Sequence, residues 1–221
     1  MSISVYVVSA ICGNFYQESG VNPGIYENLD AIPDADMTNN NVYGGYGLGQ
    51  WTNKASAGLT RRTQLINFMD NNGYDWDDGD GQLDFLIAEN YWHQNYGPFA
   101  TLSDFLTSNS TDIGELTKIW MRCWEGINSN LSTRQTWANN FYNYINAHYY
   151  DQDITSWVSG NFYPSNQQRK NNAVLVARYL IDGIPSPTPP TPPPTPPTPG
   201  PTPSPGAIII ALFKAHKRRR L

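Results

Sequence analysis

"VVSAICGNFYQESGVNPG", residues 7–24, decides how the rest of the chain is read. Two readings compete. In one, the stretch is an export signal with "SAIC" as a lipoprotein-type cleavage box. In the other, it is a buried helix that carries one carboxylate, Glu18, into a cleft. The export reading wants basic residues ahead of an unbroken apolar run and a small residue before the cysteine. No Lys or Arg precedes the run, Ser4, Tyr6 and Ser9 break it, and Ile11 stands before Cys12. The helical reading has positive support. Val8, Ile11, Cys12 and Phe15 recur at i, i+3, i+4 and i+7, one face of a helix. Gly20 supplies a natural stop, and Pro23 follows three residues later. The spacing predicts a helix over residues 5–19.

Glu18 then lies three residues after Phe15, on or beside the apolar stripe and in the last helical turn. Burial and the negative end of a helix dipole both disfavour a charged carboxylate there. A glutamate held in that way suits general-acid work, as in glycoside hydrolysis, while a plain surface residue at a helix end is the alternative.

Outward from this helix, residues 28–41 ("NLDAIPDADMTNNN") are polar and loop-like. "VYGGYGLGQWT", residues 42–52, is rich in glycine with interleaved aromatics and predicts short strands in a tight lobe. It lacks the spacing of a phosphate-binding loop. Helical patterns follow: "LTRRTQLINFMDNNG", "GQLDFLIAENYWHQNYG" ending at Gly97, the short "TLSDFLTSN", "TDIGELTKIWMRCWEGI", "STRQTWANNFYNYINAHYY", and a last helix over 165–182. The fold class expected is mostly α: a helical domain over residues 1–183 with one small Gly-rich β lobe.

The composition limits function. Hydrophobic residues make up 39% of the 221 and aromatics 13%, enough for a packed core, and exposed rings would also suit stacking on sugars. Residues 1–184 hold nine Lys or Arg against all 19 acids, so this body is a poor partner for nucleic acid. Residues 184–206 hold 13 of the 17 prolines, spaced by Thr and Ser, and read as a polyproline-II linker. Twenty-one such residues would reach about 65 Å at ~3.1 Å each. Residues 207–221 read as a short apolar-basic tip, suited to a membrane surface or to docking on a partner protein.

Other constellations carry less. "DWDDGDG" puts Tyr74 and Trp76 where a calcium loop needs acids, so an acidic turn before a helix is expected. His93 and His148 have no metal-ligand spacing, and no metal or cofactor is implied. Cys12 and Cys123 are either a disulfide or two buried thiols. Glu125, in an apolar helix, reads as a buried partner for Arg61, Arg62 or Arg134.

"ESGVNPGIYENLD" (18–30) followed by "GGYGLGQWT" (44–52) resembles the lysozyme domain of tail and tail-tip proteins from phages of Gram-positive bacteria. The resemblance continues through "RRTQLINFM" and "SDFLTSNSTDIGELTKIWMRCWEG", and covers about residues 10–148. It implies a lysozyme-like fold and cleavage of the β-1,4 bond between N-acetylmuramic acid and N-acetylglucosamine in peptidoglycan. Glu18 matches the family's catalytic acid. Tyr46, Gly47, Gln50 and Trp51 match its lobe motif, which lines the sugar cleft. A late aromatic-Glu pair of the family is matched by Trp124 and Glu125. Hen-type lysozymes carry an Asp just before the Tyr-Gly of this lobe, and here that place is Gly45. Asp30, Asp34 and Asp36 are the candidates for a second carboxylate acting on a water at longer range. Without one, the sugar's own groups would give a lytic transglycosylase outcome. The resemblance implies peptidoglycan glycan strands as partner, with phage tail proteins or a membrane surface met through the C-terminal tip. A non-catalytic glycan-binding tail component and a free lysin are the alternatives.

Overall fold

Ser4 starts the first helix. Its side chain accepts a hydrogen bond from Val7 N–H at 3.3 Å, satisfying one of the donors that a helix start leaves open. This helix, α1 (Val5–Ser19), ends where expected. Gly20 takes the left-handed conformation at φ 66, and Gly20 and Val21 donate back to the carbonyls of Tyr16 and Phe15. The structure, a computed structural model, describes residues 3–183. The Pro-rich stretch and the apolar-basic tip lie outside the described residues.

Val7, Val8, Ala10, Ile11, Cys12 and Phe15 are all fully buried, so α1 is covered on several sides rather than along one stripe. Helices α5 (Ile113–Cys123), α6 (Leu131–His148) and α7 (Asn166–Asp182) pack around it. Gly13 permits the close crossing with α6. A Cβ there would meet the Arg134 carbonyl oxygen at 2.5 Å and the Ala138 Cβ at 2.6 Å.

The lobe is a three-stranded antiparallel sheet in the order β1 (Gly44–Tyr46), β2 (Trp51–Lys54), β3 (Leu59–Thr60). Gly45 pairs with Thr52 and Tyr46 with Trp51. The loop before it is organised by one buried cation from α2 (Arg61–Asn72). The Arg62 guanidinium donates to the carbonyls of Met37, Gly44 and Val42 at 2.8–2.9 Å. A planar fork with five N–H donors suits such a set of converging carbonyls.

Helix α3 (Gly79–Glu89) opens on the "DWDDGDG" turn. Asp78 caps it, accepting from Asp80 N–H and Gly81 N–H. It ends earlier than its sequence pattern predicts. Asn90 takes the left-handed conformation at φ 45 and stops it, and residues 91–97 continue without helix. Tyr91 and Trp92 are half-buried against the core, so apolar content there reflects packing rather than helical structure. The short α4 (Leu102–Leu106) has a reciprocal cap between Thr101 and Asp104. Helix α5 stops at Cys123, so Trp124 and Glu125 sit just past its end and not within it. Helix α7 begins on a second reciprocal cap, Ser165 with Gln168, and packs on α1, α3 and α6.

Candidate active site

The last turn of α1 opens into a cleft of about 600 Å³ between the helical body and the lobe. Tyr16, Gln17 and Glu18 form its floor on the helical side, and Gly49, Gln50 and Thr52 face them from the lobe. The Glu18 side chain keeps 21% of its surface exposed. Its Oε1 lies 2.5 Å from Arg134 Nη2, and that arginine is itself buried and donates to Asn14 Oδ1 at 3.0 Å. One guanidinium thus joins α6 to both the middle and the end of α1.

Glu125 lines the same cleft. The expectation that it pairs with an arginine is not met. Arg134 is taken by Glu18, Arg61 by Glu89 at 2.5 Å, and Arg62 by backbone carbonyls. Glu125 instead accepts from Trp120 Nε1 at 3.3 Å. Its carboxyl is pushed well above the usual carboxylate range, first by burial and then by the charge of Glu18 beside it. The nearby Arg134 and Arg61 offset this only in part. Glu125 therefore holds its proton to higher pH than an exposed glutamate does.

A third carboxylate, Glu27, reaches the cleft. Its Oε2 accepts from Gly45 N–H at 2.9 Å and its Oε1 from the Tyr43 hydroxyl at 3.2 Å. The chain therefore brings an acid to the backbone of Gly45, in the first strand of the lobe. Asp30, Asp34 and Asp36 do not line the cleft. Asp30 and Asp34 are exposed in the loop, and Asp36 accepts from Asn39 Nδ2 at 3.2 Å within a turn. Glu27 was missed although it lies in "ESGVNPGIYENLD". Its only local signal is the neighbouring Tyr26, which also lines the cleft.

The lobe motif divides into two groups. Gln50 faces the cleft from a left-handed backbone at φ 48, and its amide donates to the carbonyls of Ile25 and Gly47. Tyr46, Gly47 and Trp51 lie beneath the surface. Tyr46 is buried under the Tyr26 ring, with centroids 4.8 Å apart. Gly47 packs so tightly on Gln82 that a Cβ would meet its Oε1 at 2.5 Å. Trp51 is fully buried, donates to Glu89 Oε2 at 3.2 Å, and meets Trp124 edge-on. Arg61 closes this side. Its guanidinium lies 3.9 Å from the Tyr91 ring centre and 4.4 Å from that of Trp124.

A helical body with one small antiparallel lobe, and a polar cleft between that lobe and the end of a buried helix, defines a lysozyme-like α+β protein. The chain belongs to the phage tail lysozyme family, whose profile matches residues 2–145. It is also similar to morphogenesis protein 1 of Bacillus phage B103, with 37% identity over 84 residues. That match spans 37% of this chain and 19% of the relative, about a fifth of its length.

Proposed function

We propose that the protein cleaves the β-1,4 glycosidic bond between N-acetylmuramic acid and N-acetylglucosamine, opening the host cell wall locally as part of a phage tail. The observation that carries this reading is Glu18, held by Arg134 at the end of a buried helix and facing the lobe across the cleft. Glu18 protonates the glycosidic oxygen. Glu125 supports this step from the same cleft, because burial and the neighbouring Glu18 charge favour its protonated form. Glu27, anchored at Gly45, activates the water that attacks the sugar, which makes hydrolysis the favoured outcome over lytic transglycosylation.

The test is Glu18→Gln on purified walls. Turbidity loss should fall by at least about a hundredfold with the thermal transition retained, since general-acid catalysis contributes on that scale. Retained lysis would overturn the assignment. Mass spectrometry of wild-type products should show reducing muramyl ends. Predominantly 1,6-anhydro ends would assign the lyase reaction and remove the role given to Glu27. Glycan binding with no product would leave a binding tail component.

A further inference from the structure

We propose that Arg169 and Tyr163 form a subsite for a carboxylate carried on the peptide stem of the glycan strand. The inference rests on the peptidoglycan-cleaving reading and extends it to residues beyond the family-matched stretch. Both side chains line the cleft that holds Glu18.

Their placement is fixed by the backbone that leaves α1. Asn22 Nδ2 donates to the carbonyls of Gly160 and Phe162 at 2.8 Å each. Asn161 returns the tie, accepting from Tyr26 N–H at 3.2 Å and donating to the Leu29 carbonyl at 3.0 Å. The loop before α7 is thus joined to the segment that follows Glu18. Arg169, in the first turn of α7, lies over Gly20, where a Cβ would come within 3.2 Å of its Nε. It stacks 5.0 Å from the Tyr16 ring centre and donates from Nη1 to the Tyr16 hydroxyl at 3.2 Å.

Charge decides what this spot is for. Arg61, the other arginine lining the cleft, is paired with Glu89, and the buried Arg134 is paired with Glu18. Arg169 forms no ion pair among the described residues, and its Nε makes no hydrogen bond. The Nε is buried, but Nη1 and Nη2 carry N–H groups beyond the one given to Tyr16, so the guanidinium keeps donor capacity at the cleft. A neutral sugar backbone gives no reason to hold a cation there. A strand bearing peptide stems does, because those stems carry free carboxylates, which a guanidinium fork binds in two-pronged fashion. Tyr163 lines the same cleft with 60% of its surface exposed, offering a ring and a hydroxyl to the same substituent.

The full chain is assayed on stem-bearing glycan strands and on the same strands stripped of peptide by an amidase. The wild type should prefer the stem-bearing polymer in kcat/KM. Arg169→Gln should reduce that preference about tenfold, mainly through KM, and Arg169→Lys should restore part of it. Melting curves of each variant identify any loss due to misfolding, which would lower both rates together and leave the ratio intact. A preference unchanged in Arg169→Gln overturns the subsite. If the wild type cleaves neither polymer, the glycan-cleaving reading fails by itself. The subsite is then judged by NMR titration with a muramyl tripeptide. A shift of the Arg169 Nε–H signal with saturable binding, lost in Arg169→Gln, sustains it, and no binding overturns it.

Discussion

Arg134 Nη2 lies 2.5 Å from Glu18 Oε1, although 116 residues separate them. The arginine is 2% exposed and the glutamate 21%, so the pair sits at the wall of the cleft and is only partly screened by water. Replacing Arg134 with Met keeps the unbranched apolar stem of the side chain and removes the guanidinium with its charge. Glu18 and Asn14 Oδ1 then lose their donor. Arg134→Met should cost about 2–3 kcal/mol in urea unfolding and reduce lysis as Glu18 loses its fixed position. An unchanged midpoint would mean that the pair adds nothing to the fold.

Glu125 makes a pH prediction. Its carboxyl is raised above the usual 4.5 by burial and by Glu18. The folded state thus holds this proton more tightly than the unfolded chain does. Its contribution to stability is complete below the usual carboxylate value and is lost as pH rises through the raised one. Glu125→Gln, which cannot ionise, should remove that loss. Melting temperatures of the variant and parent should differ little at pH 4, and the variant should gain relative to the parent towards pH 8. A difference that does not vary with pH would exclude a raised value for Glu125.

Helix α1 and the lobe were legible because their signals are local. Val8, Ile11, Cys12 and Phe15 declare a helical face, and each is buried. Gly20 declares its end by needing a positive φ. The glycines at 44, 45, 47 and 49 declare a tight lobe. The site was only half legible, because its second half depends on contacts across the chain. Nothing near Glu18 in sequence indicates Arg134, and nothing near Gly45 indicates that Glu27 reaches it. Tyr46 and Trp51 matched a motif, but a motif does not say which of its residues face the cleft and which support it. Arg169 was invisible for a similar reason, since it is recognisable as a cleft residue only once Asn22 and Asn161 join the two segments.

That junction is itself testable. A Cβ on Gly24 would fall 2.3 Å from Gly160 N and 2.8 Å from Gly160 Cα, both backbone atoms, and 3.3 Å from Asp77 Cβ. Gly24→Ala should therefore destabilise by about 1–3 kcal/mol, the usual cost of forcing extra volume into a packed contact. The displaced loop carries Tyr163 towards α7, so the preference for stem-bearing glycan should fall with it. A parent-like urea midpoint would show that the loop is free to move away from α1.

The two cysteines give a chemical test of the core. Both are free and buried, Cys12 on the inner face of α1 and Cys123 at the end of α5, where its Sγ donates to the Tyr96 carbonyl at 3.0 Å. Burial pushes the Cys12 thiol far above its usual range, so almost no thiolate, the reactive form, is present at neutral pH. The native protein should react with a thiol reagent such as DTNB only as fast as it unfolds. In denaturant without reductant, two thiols per chain should titrate at once. Two thiols reacting rapidly in the native state would mean that α1 is not enclosed, and no thiols in denaturant would mean that the cysteines had found each other in a disulfide. Either result would remove the packing that holds the last turn of α1, and with it Glu18, at the cleft.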